Sequence, residues 1–386
     1  MRVLVWHWGR FGAGPRFAAE LAAGLRRLPG TEALLSLSAQ AELLQGPAPP
    51  ACALPFPTYT GIPGLLARIA AAPFLARALA RRLVALAPDA AICAMPAPLD
   101  LVMASALARR RIPFAVVIHD AEVHPGDGAP LQMSMQRLLA RRAAVLAALS
   151  PHVAARLRAL GLAPRQRLLL ASHPPFDFGP VPARSPHAGP LRLLFFGRLL
   201  RYKGLDLLAA ALQRLPPGRF AVRVVGRGPP SPALAALAAL NFVTVENRWV
   251  PEAEIASLLA WADGIVLPYR EASQSGVAAG ALAAGRWVVA TRVGGLARQL
   301  SCEPLARLAA PEPAALADCL VRLAAEPLPA PPPLGPPLGP PAPTHNAAHD
   351  AAWSALAASL LAELEPGLPA TLASPGPARH DAPDTA

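Results

Sequence analysis

The sequence predicts an α/β protein made of two tandem Rossmann-like domains that face one another across a cleft. Three observations carry this. Short apolar runs alternate with helix-period stretches along most of the 386 residues. The alternation stops at a Pro- and Gly-dense stretch over 172–190 and then starts again. Hydrophobic residues make up 54% and aromatics 5%, much of the difference being Ala and Leu. Such a composition builds sizeable, helix-rich cores and excludes a disordered chain.

The elements follow in order. Residues 2–8 (RVLVWHW) read as a strand, then a turn containing Gly9, Gly12 and Gly14, then a helix over about 16–28. Strand, Gly-rich turn and helix is the opening unit of a Rossmann-type fold. Further strands are expected at 90–95, 114–119 and 145–150, and the alternation implies a parallel, doubly wound sheet. The N-terminal domain is therefore set at 1–175 and an interdomain linker at 176–190. Beyond the linker, strands are expected at 191–196, 221–226, 243–246, 264–268 and 287–291, with helices at 203–214, 232–240, 252–261 and 277–285. This second domain covers 191–326. A Pro-rich connector (327–345) has polyproline character. A helix at 346–365 presents Trp353, Leu356, Leu360 and Leu361 on one face and must pack against something, and 366–386 reads as a disordered tail.

No apolar run is long enough, without charge, to span a membrane, and the start is too short in apolar residues for a signal peptide. Four scattered cysteines without a CxxC pair point to reduced thiols and a cytoplasmic protein. The net charge of +12 is lopsided: residues 1–185 hold 20 Lys and Arg against 9 Asp and Glu, residues 186–386 hold 16 against 15. An anionic partner for the first half is the functional reading, and a genome rich in arginine codons is the bland one. Within that half, 65–86 (LLARIAAAPFLARALARRLVAL) reads as one basic amphipathic helix with Arg68, Arg77, Arg81 and Arg82, suited to the inner face of an anionic membrane or to plain solvation.

Two segments of the second domain carry chemistry. In FFGRLLRYKG (195–204) a strand ends at Gly197, and Arg198 and Lys203 follow. A bidentate guanidinium and a mobile ammonium at a strand's carboxyl end suit a diphosphate. Lys203 is the only lysine, against 35 arginines. In LPYREASQSG (267–276) a strand runs through a polar loop with Glu271, Ser273 and Ser275 into a helix start at Gly276, whose free N–H groups form an anion site. Either serine alone is read equally well as a helix cap.

With these residues named, FFGRLLRYKGLDLLAAAL, VVGRGP, VPEAEIASLLAWADGIVLPY and VVATRVGGLARQL together resemble, in order, the C-terminal domain of family 4 (group 1) retaining glycosyltransferases of the GT-B fold. The first half matches more thinly, through residues 12–14, His119-Asp120 and Ser150 with the helix after it. The resemblance implies transfer of a sugar from a nucleotide-diphosphate donor, with retention and without a metal or other cofactor, the nucleotide sugar being a co-substrate. The acceptor it implies is a glycan, a polysaccharide or a lipid-linked precursor. Arg198 and Lys203 would hold the donor diphosphate and act with His119, which would contact the sugar, as the catalytic set. Gly12, Gly14, Glu271, Ser273, Ser275 and Gly276 complete the expected donor site.

The chain also departs from the pattern. The family's two glutamates fall at Ala272 and Gly280, SQSG (273–276) replaces a Gly-aromatic-Gly loop as in a divergent subgroup, and Arg286-Trp287 stand where a proline is usual. These departures keep a second reading open, a catalytically silent glycan- or nucleotide-binding protein. A metal reading of His119, Asp120, Glu122 and His124 finds no further ligand set. A nicotinamide-dependent enzyme would need a third glycine where GAGPRF has Phe17. No nucleic-acid-binding motif accompanies the basic charge, so nucleic acid is not an expected partner.

Overall fold

The computed structural model describes residues 1–46, 48–121, 130–162, 166–174, 176, 187–328 and 347–365. The linker, apart from its ends, nearly all of the Pro-rich connector, the tail, and Glu122 and His124 lie outside the described residues.

The first half runs β1 (Arg2–His7), α1 (Ala13–Arg26), β2 (Glu32–Leu37), α2 (Glu42–Gln45), α3 (Gly61–Ala70), α4 (Ala72–Leu86), β3 (Ala90–Cys93), α5 (Asp100–Arg110), β4 (Phe114–Ile118), α6 (Pro130–Arg142), β5 (Val145–Ala148), α7 (Pro151–Ala159) and β6 (Arg167–Leu170). The second runs β7 (Leu191–Phe196), α8 (Leu205–Leu212), β8 (Phe220–Gly226), α9 (Pro232–Ala238), β9 (Val243–Asn247), α10 (Glu252–Trp261), β10 (Gly264–Leu267), α11 (Gly276–Ala283), β11 (Trp287–Thr291), α12 (Gly294–Leu300), β12 (Ala306–Ala309) and α13 (Pro313–Leu323). A last helix, α14 (Ala347–Leu364), follows.

Each half holds one six-stranded sheet, ordered β2-β1-β3-β4-β5-β6 and β12-β11-β10-β7-β8-β9. Every pairing is parallel. Read from β9, the second sheet has the order 3-2-1-4-5-6 of a dinucleotide-type Rossmann fold, with its switch point between β7 and β10. That order is informative, because ligands in open parallel sheets sit outside the strand ends at the switch point.

Side chains alternate faces along a strand, and in β1 the alternation divides the first core in two. Val3 and Val5 pack with α1 and α14 on one face, while Leu4 and Trp6 pack with α4, α5, α6 and α7 on the other. The second half has one continuous core, from Leu193 and Phe195 through Val224 and Ile265 to Val289. The strands are apolar almost throughout because both faces are covered.

Two differences from the sequence reading have physical causes. Strands β2, β6 and β12 (EALLSL, RLLL, ARLA) escaped notice because they are edge strands with polar or short runs. The single basic helix expected over 65–86 is two helices, α3 and α4, bent by 74°. Pro73 lies in the first turn of α4; lacking an N–H and clashing with the preceding turn, it starts a helix rather than continuing one. The final helix, expected to pack against something, follows the second domain in the chain. It returns to the first, where Trp353, Leu356, Leu360 and Leu361 are buried against the α1 face. A Cβ at Gly24 of α1 would come within 2.7 Å of the Trp353 carbonyl oxygen, so the two helices approach backbone to backbone.

Candidate active site

The two segments singled out in the second half follow β7 and β10, the strands that pair at the switch point. Arg198 and Lys203 lie just past the carboxyl end of β7. The chain makes a 3-10 turn over Arg201–Lys203 and enters α8 through Gly204 at φ +69°, a left-handed conformation that favours glycine. A Cβ at Gly204 would stand 1.8 Å from the Pro268 carbonyl oxygen, so this junction rests directly on the loop after β10. The two are also tied by Arg270 N donating to Tyr202 O at 2.8 Å and by a fork of Arg270 on Asp206, at 2.7 and 3.2 Å. The guanidinium holds the Asp206 carboxyl below the usual carboxylate range.

Lys203 sits between two tyrosines, its Nζ 3.7 Å from the Tyr269 ring centroid and 4.9 Å from that of Tyr202. Among the described residues its Nζ has no hydrogen bond or ion pair. The rings steady the ammonium through their faces without neutralising it. Arg198 is exposed and donates from Nη2 to the Tyr202 hydroxyl at 2.8 Å. Two cations with a shared aromatic support, at the switch point, form a seat for an anionic group.

The loop after β10 is held from both sides. Cβ atoms at Gly294 and Gly295 would fall 2.3 Å and 1.9 Å from the carbonyl oxygens of Ala272 and Ser273, so the two glycines of α12 let the loop lie flat on that helix. Gln299 accepts from Ser275 N at 2.9 Å and donates to Ser275 O at 3.0 Å. The Ser275 hydroxyl caps α11, accepting from Ala278 N at 3.3 Å; of the two roles read for it, capping is the one it performs here. Gly276 follows as the first residue of α11, whose first-turn N–H groups have no partner within the helix. Glu271 is exposed, and the buried Ala272 and Gly280 leave no carboxylate at the family's two acidic positions.

Across the cleft, the first half meets this loop. The Ser273 hydroxyl donates to Asp120 Oδ1 at 3.0 Å, and the Gln274 amide donates to the Leu149 carbonyl oxygen. Asp120 follows His119 in the chain, so Ser273 contacts the loop that begins at His119. His119 Nε2 lies 3.0 Å from the Ala94 carbonyl oxygen. A carbonyl only accepts, so Nε2 carries the proton and Nδ1 offers a lone pair. The ring meets Phe17 edge to face at 4.6 Å and His173 at 5.7 Å. Burial, then the neighbouring His173, hold His119 far below the usual imidazole range, which favours the neutral ring.

The two glycines of the first loop have different places. Gly12, at φ +81°, precedes α1 and is exposed. It stands beside Phe11, whose ring meets Trp249 of the second half at 5.4 Å. Gly14 is buried, and a Cβ there would lie 2.2 Å from Nε2 of His7, so its missing side chain makes room for that ring. His7 itself donates from Nδ1 to the Met95 carbonyl oxygen at 2.7 Å. Sequence reasoning missed Tyr202, Tyr269 and Gln274, and named Asp120 without its contact to Ser273. The two tyrosines had a visible signal, since they are two of only three in the chain and stand next to the two motifs. Among the described residues, no three of His, Cys, Asp and Glu stand close enough to hold a metal ion.

Two parallel-sheet domains with their strand ends facing across a cleft, and cations at the switch point of the second, define the GT-B architecture of glycosyltransferases. Family models agree: one described as glycosyl transferases group 1 matches residues 190–326, and a glycosyl transferase 4-like domain matches residues 12–173. Each half of the chain thus matches a glycosyltransferase domain of its own. The chain is 34% identical over 190 residues to a D-inositol 3-phosphate glycosyltransferase of Arthrobacter sp. (strain FB24), a match covering 47% of this chain and 44% of that relative's length. Its fold is similar to Anabaena Alr3699/HepE in complex with UDP and glucose, at a TM-score of 0.61 and 19% identity over 93% of this chain and 95% of that one. Sucrose-phosphate synthase from Thermosynechococcus elongatus is similar at 0.62 and 15% identity, over 95% and 94%.

Proposed function

We propose that this protein transfers a sugar from a nucleotide-diphosphate donor to a glycan or a lipid-linked acceptor, with retention at the anomeric carbon. The observation that carries the reading is Lys203, held between Tyr202 and Tyr269 beside Arg198 without a carboxylate to neutralise it. Such a pair stabilises the negative charge that builds up on a departing diphosphate. Fixed charges aimed at developing charge do more than any other single effect to lower the barrier in this kind of catalysis. The α11 N-terminus adds N–H donors to the same anion. His119, neutral and with Nδ1 unprotonated, orients a sugar hydroxyl rather than supplying a proton. The UDP held by the Anabaena protein supports a nucleotide donor.

A thermal-shift screen against UDP, GDP, ADP and their sugars tests this, and a rise in melting temperature with at least one is expected. Lys203→Ala should weaken binding of that ligand by about 1.5–3 kcal/mol, the usual worth of a hydrogen bond to a charged group. Unchanged affinity would remove Lys203 from the site. The alanine and glycine at positions 272 and 280 favour a second reading, a member that binds nucleotide or glycan without turnover. Nucleotide binding without release of nucleoside diphosphate from a nucleotide sugar in any acceptor assay would select it.

A further inference from the structure

The helices α3 and α4 form the other unusual surface of this molecule. Between Glu42 and Asp89 the chain has no acidic residue, while Arg68, Arg77, Arg81 and Arg82 fall in that interval. None of the four side chains has an ion pair or hydrogen bond among the described residues. The inner side of α4 is committed to the core through Ala76, Leu79, Ala80 and Leu83. α3 fully buries no residue, and rests on the core through Leu65 and Ile69. What faces outward is apolar: Ile62 is 74% exposed, Leu66 58%, Phe74 71% and Val84 53%. Leu66 is one turn beyond Ile62, and Arg77 and Arg81 share the Phe74 face of α4 at three and seven residues on. Exposed arginines continue on the helices of the same sheet face, Arg109, Arg110 and Arg111 ending α5 and Arg137, Arg141 and Arg142 on α6.

Charge without counter-charge fits any polyanion, but protruding Ile, Leu and Phe beside it do not serve binding to a polyanion in water. An anionic bilayer uses both, taking the apolar groups at the headgroup–acyl boundary and the guanidinium groups on its phosphates. Taken together, α3 and α4 have the length and composition of a span, yet they are bent by 74° and α4 is packed inside the protein along one side. That arrangement lies on a membrane rather than crossing it. A second observation ties the surface to the cleft. Tyr59, two residues before α3, lies under the Arg10 guanidinium at 5.2 Å, and the same guanidinium stacks at 5.2 Å on Phe11, the ring that meets Trp249. The patch begins at the lip of the cleft.

We propose that α3 and the outer face of α4 dock on an anionic lipid surface, with Ile62, Leu66 and Phe74 inserted and Arg77, Arg81 and Arg82 on the headgroups, setting the cleft mouth at the membrane. The proposal stands independently of sugar transfer. The test is flotation of the full chain with vesicles of phosphatidylcholine alone or with about one third phosphatidylglycerol. Binding to the anionic vesicles only is expected. The triple variant Ile62→Ser, Leu66→Ser, Phe74→Ser should lose at least tenfold in partition, and each arginine changed to Gln about fivefold at low salt. Both sets should melt as the parent does and keep its nucleotide response, which separates this outcome from failure of the donor site. No binding to anionic vesicles, or full binding by the serine variant, overturns the proposal; the latter would leave a water-facing polyanion site.

Discussion

Gly204 shows how much one residue can decide. Its positive φ and the Pro268 carbonyl oxygen at 1.8 Å from any Cβ make the neighbouring Lys203 part of the β10 loop. Gly204→Ala should therefore cost about 2–4 kcal/mol, from left-handed backbone strain plus displacement of that loop. Urea denaturation measures the loss, and nucleotide affinity should fall with it. Three desolvated imidazoles, His7 buried and His119 and His173 half-buried, make a second prediction. Burial pushes His7 and His173 down to about 4, and His119 is lowered by the same cause. The unfolded chain takes up those protons near the ordinary histidine value while the folded one does not, so stability present above pH about 6.5 is lost as pH falls towards about 4. Asp100, raised to about 7 by burial, acts in the opposite direction, since the fold keeps its proton where the unfolded chain would not. Three groups against one predict a net loss, and melting temperatures measured from pH 7.5 to 4.5 should decline. A flat profile would mean that the three rings are not sealed from water.

At the level of elements, α14 is the telling case. Its four apolar positions were legible as one face, but nothing local says which domain they cover. Trp353 ends fully buried among Phe17, His173 and Phe176. Trp353→Ala should cost about 3–5 kcal/mol, the usual effect of a large cavity, read as a fall in the melting temperature. The loss should fall on the first half, because α14 packs on α1 and the first sheet. The α3–α4 pair carries the opposite lesson. Its composition was plain, but the stretch read as one helix straight through Pro73, and the bend and the outward turn of Phe74 depend on how α4 meets the core.

For the whole molecule, the question is what joins the halves. Besides Ser273–Asp120 and Gln274–Leu149, an ion pair links Arg16 to Glu252, and Trp249 Nε1 donates to Glu42 Oε1 at 3.0 Å. These polar contacts are partly exposed, as in interfaces that open and close. The combined variant Asp120→Ala, Arg16→Ala should raise the radius of gyration in small-angle scattering while leaving the melting temperature within a few degrees. An unchanged radius would assign closure to the apolar Phe11–Trp249 and Gly276–Phe176 contacts.

Sequence by itself determined the doubly wound class, the two repeats, the family resemblance, and Arg198 and Lys203 as the cationic pair. Those features rest on local periodicity, on glycine positions and on residue chemistry, all of which are written along the chain. Only the tertiary structure decided that Gly14 makes room for His7, that Ser275 serves as a cap, that Ser273 reaches Asp120, and that the last helix closes the first domain. Each of these depends on which distant segment arrives opposite a residue. The same sequence pattern is compatible with several such partners, and packing selects one.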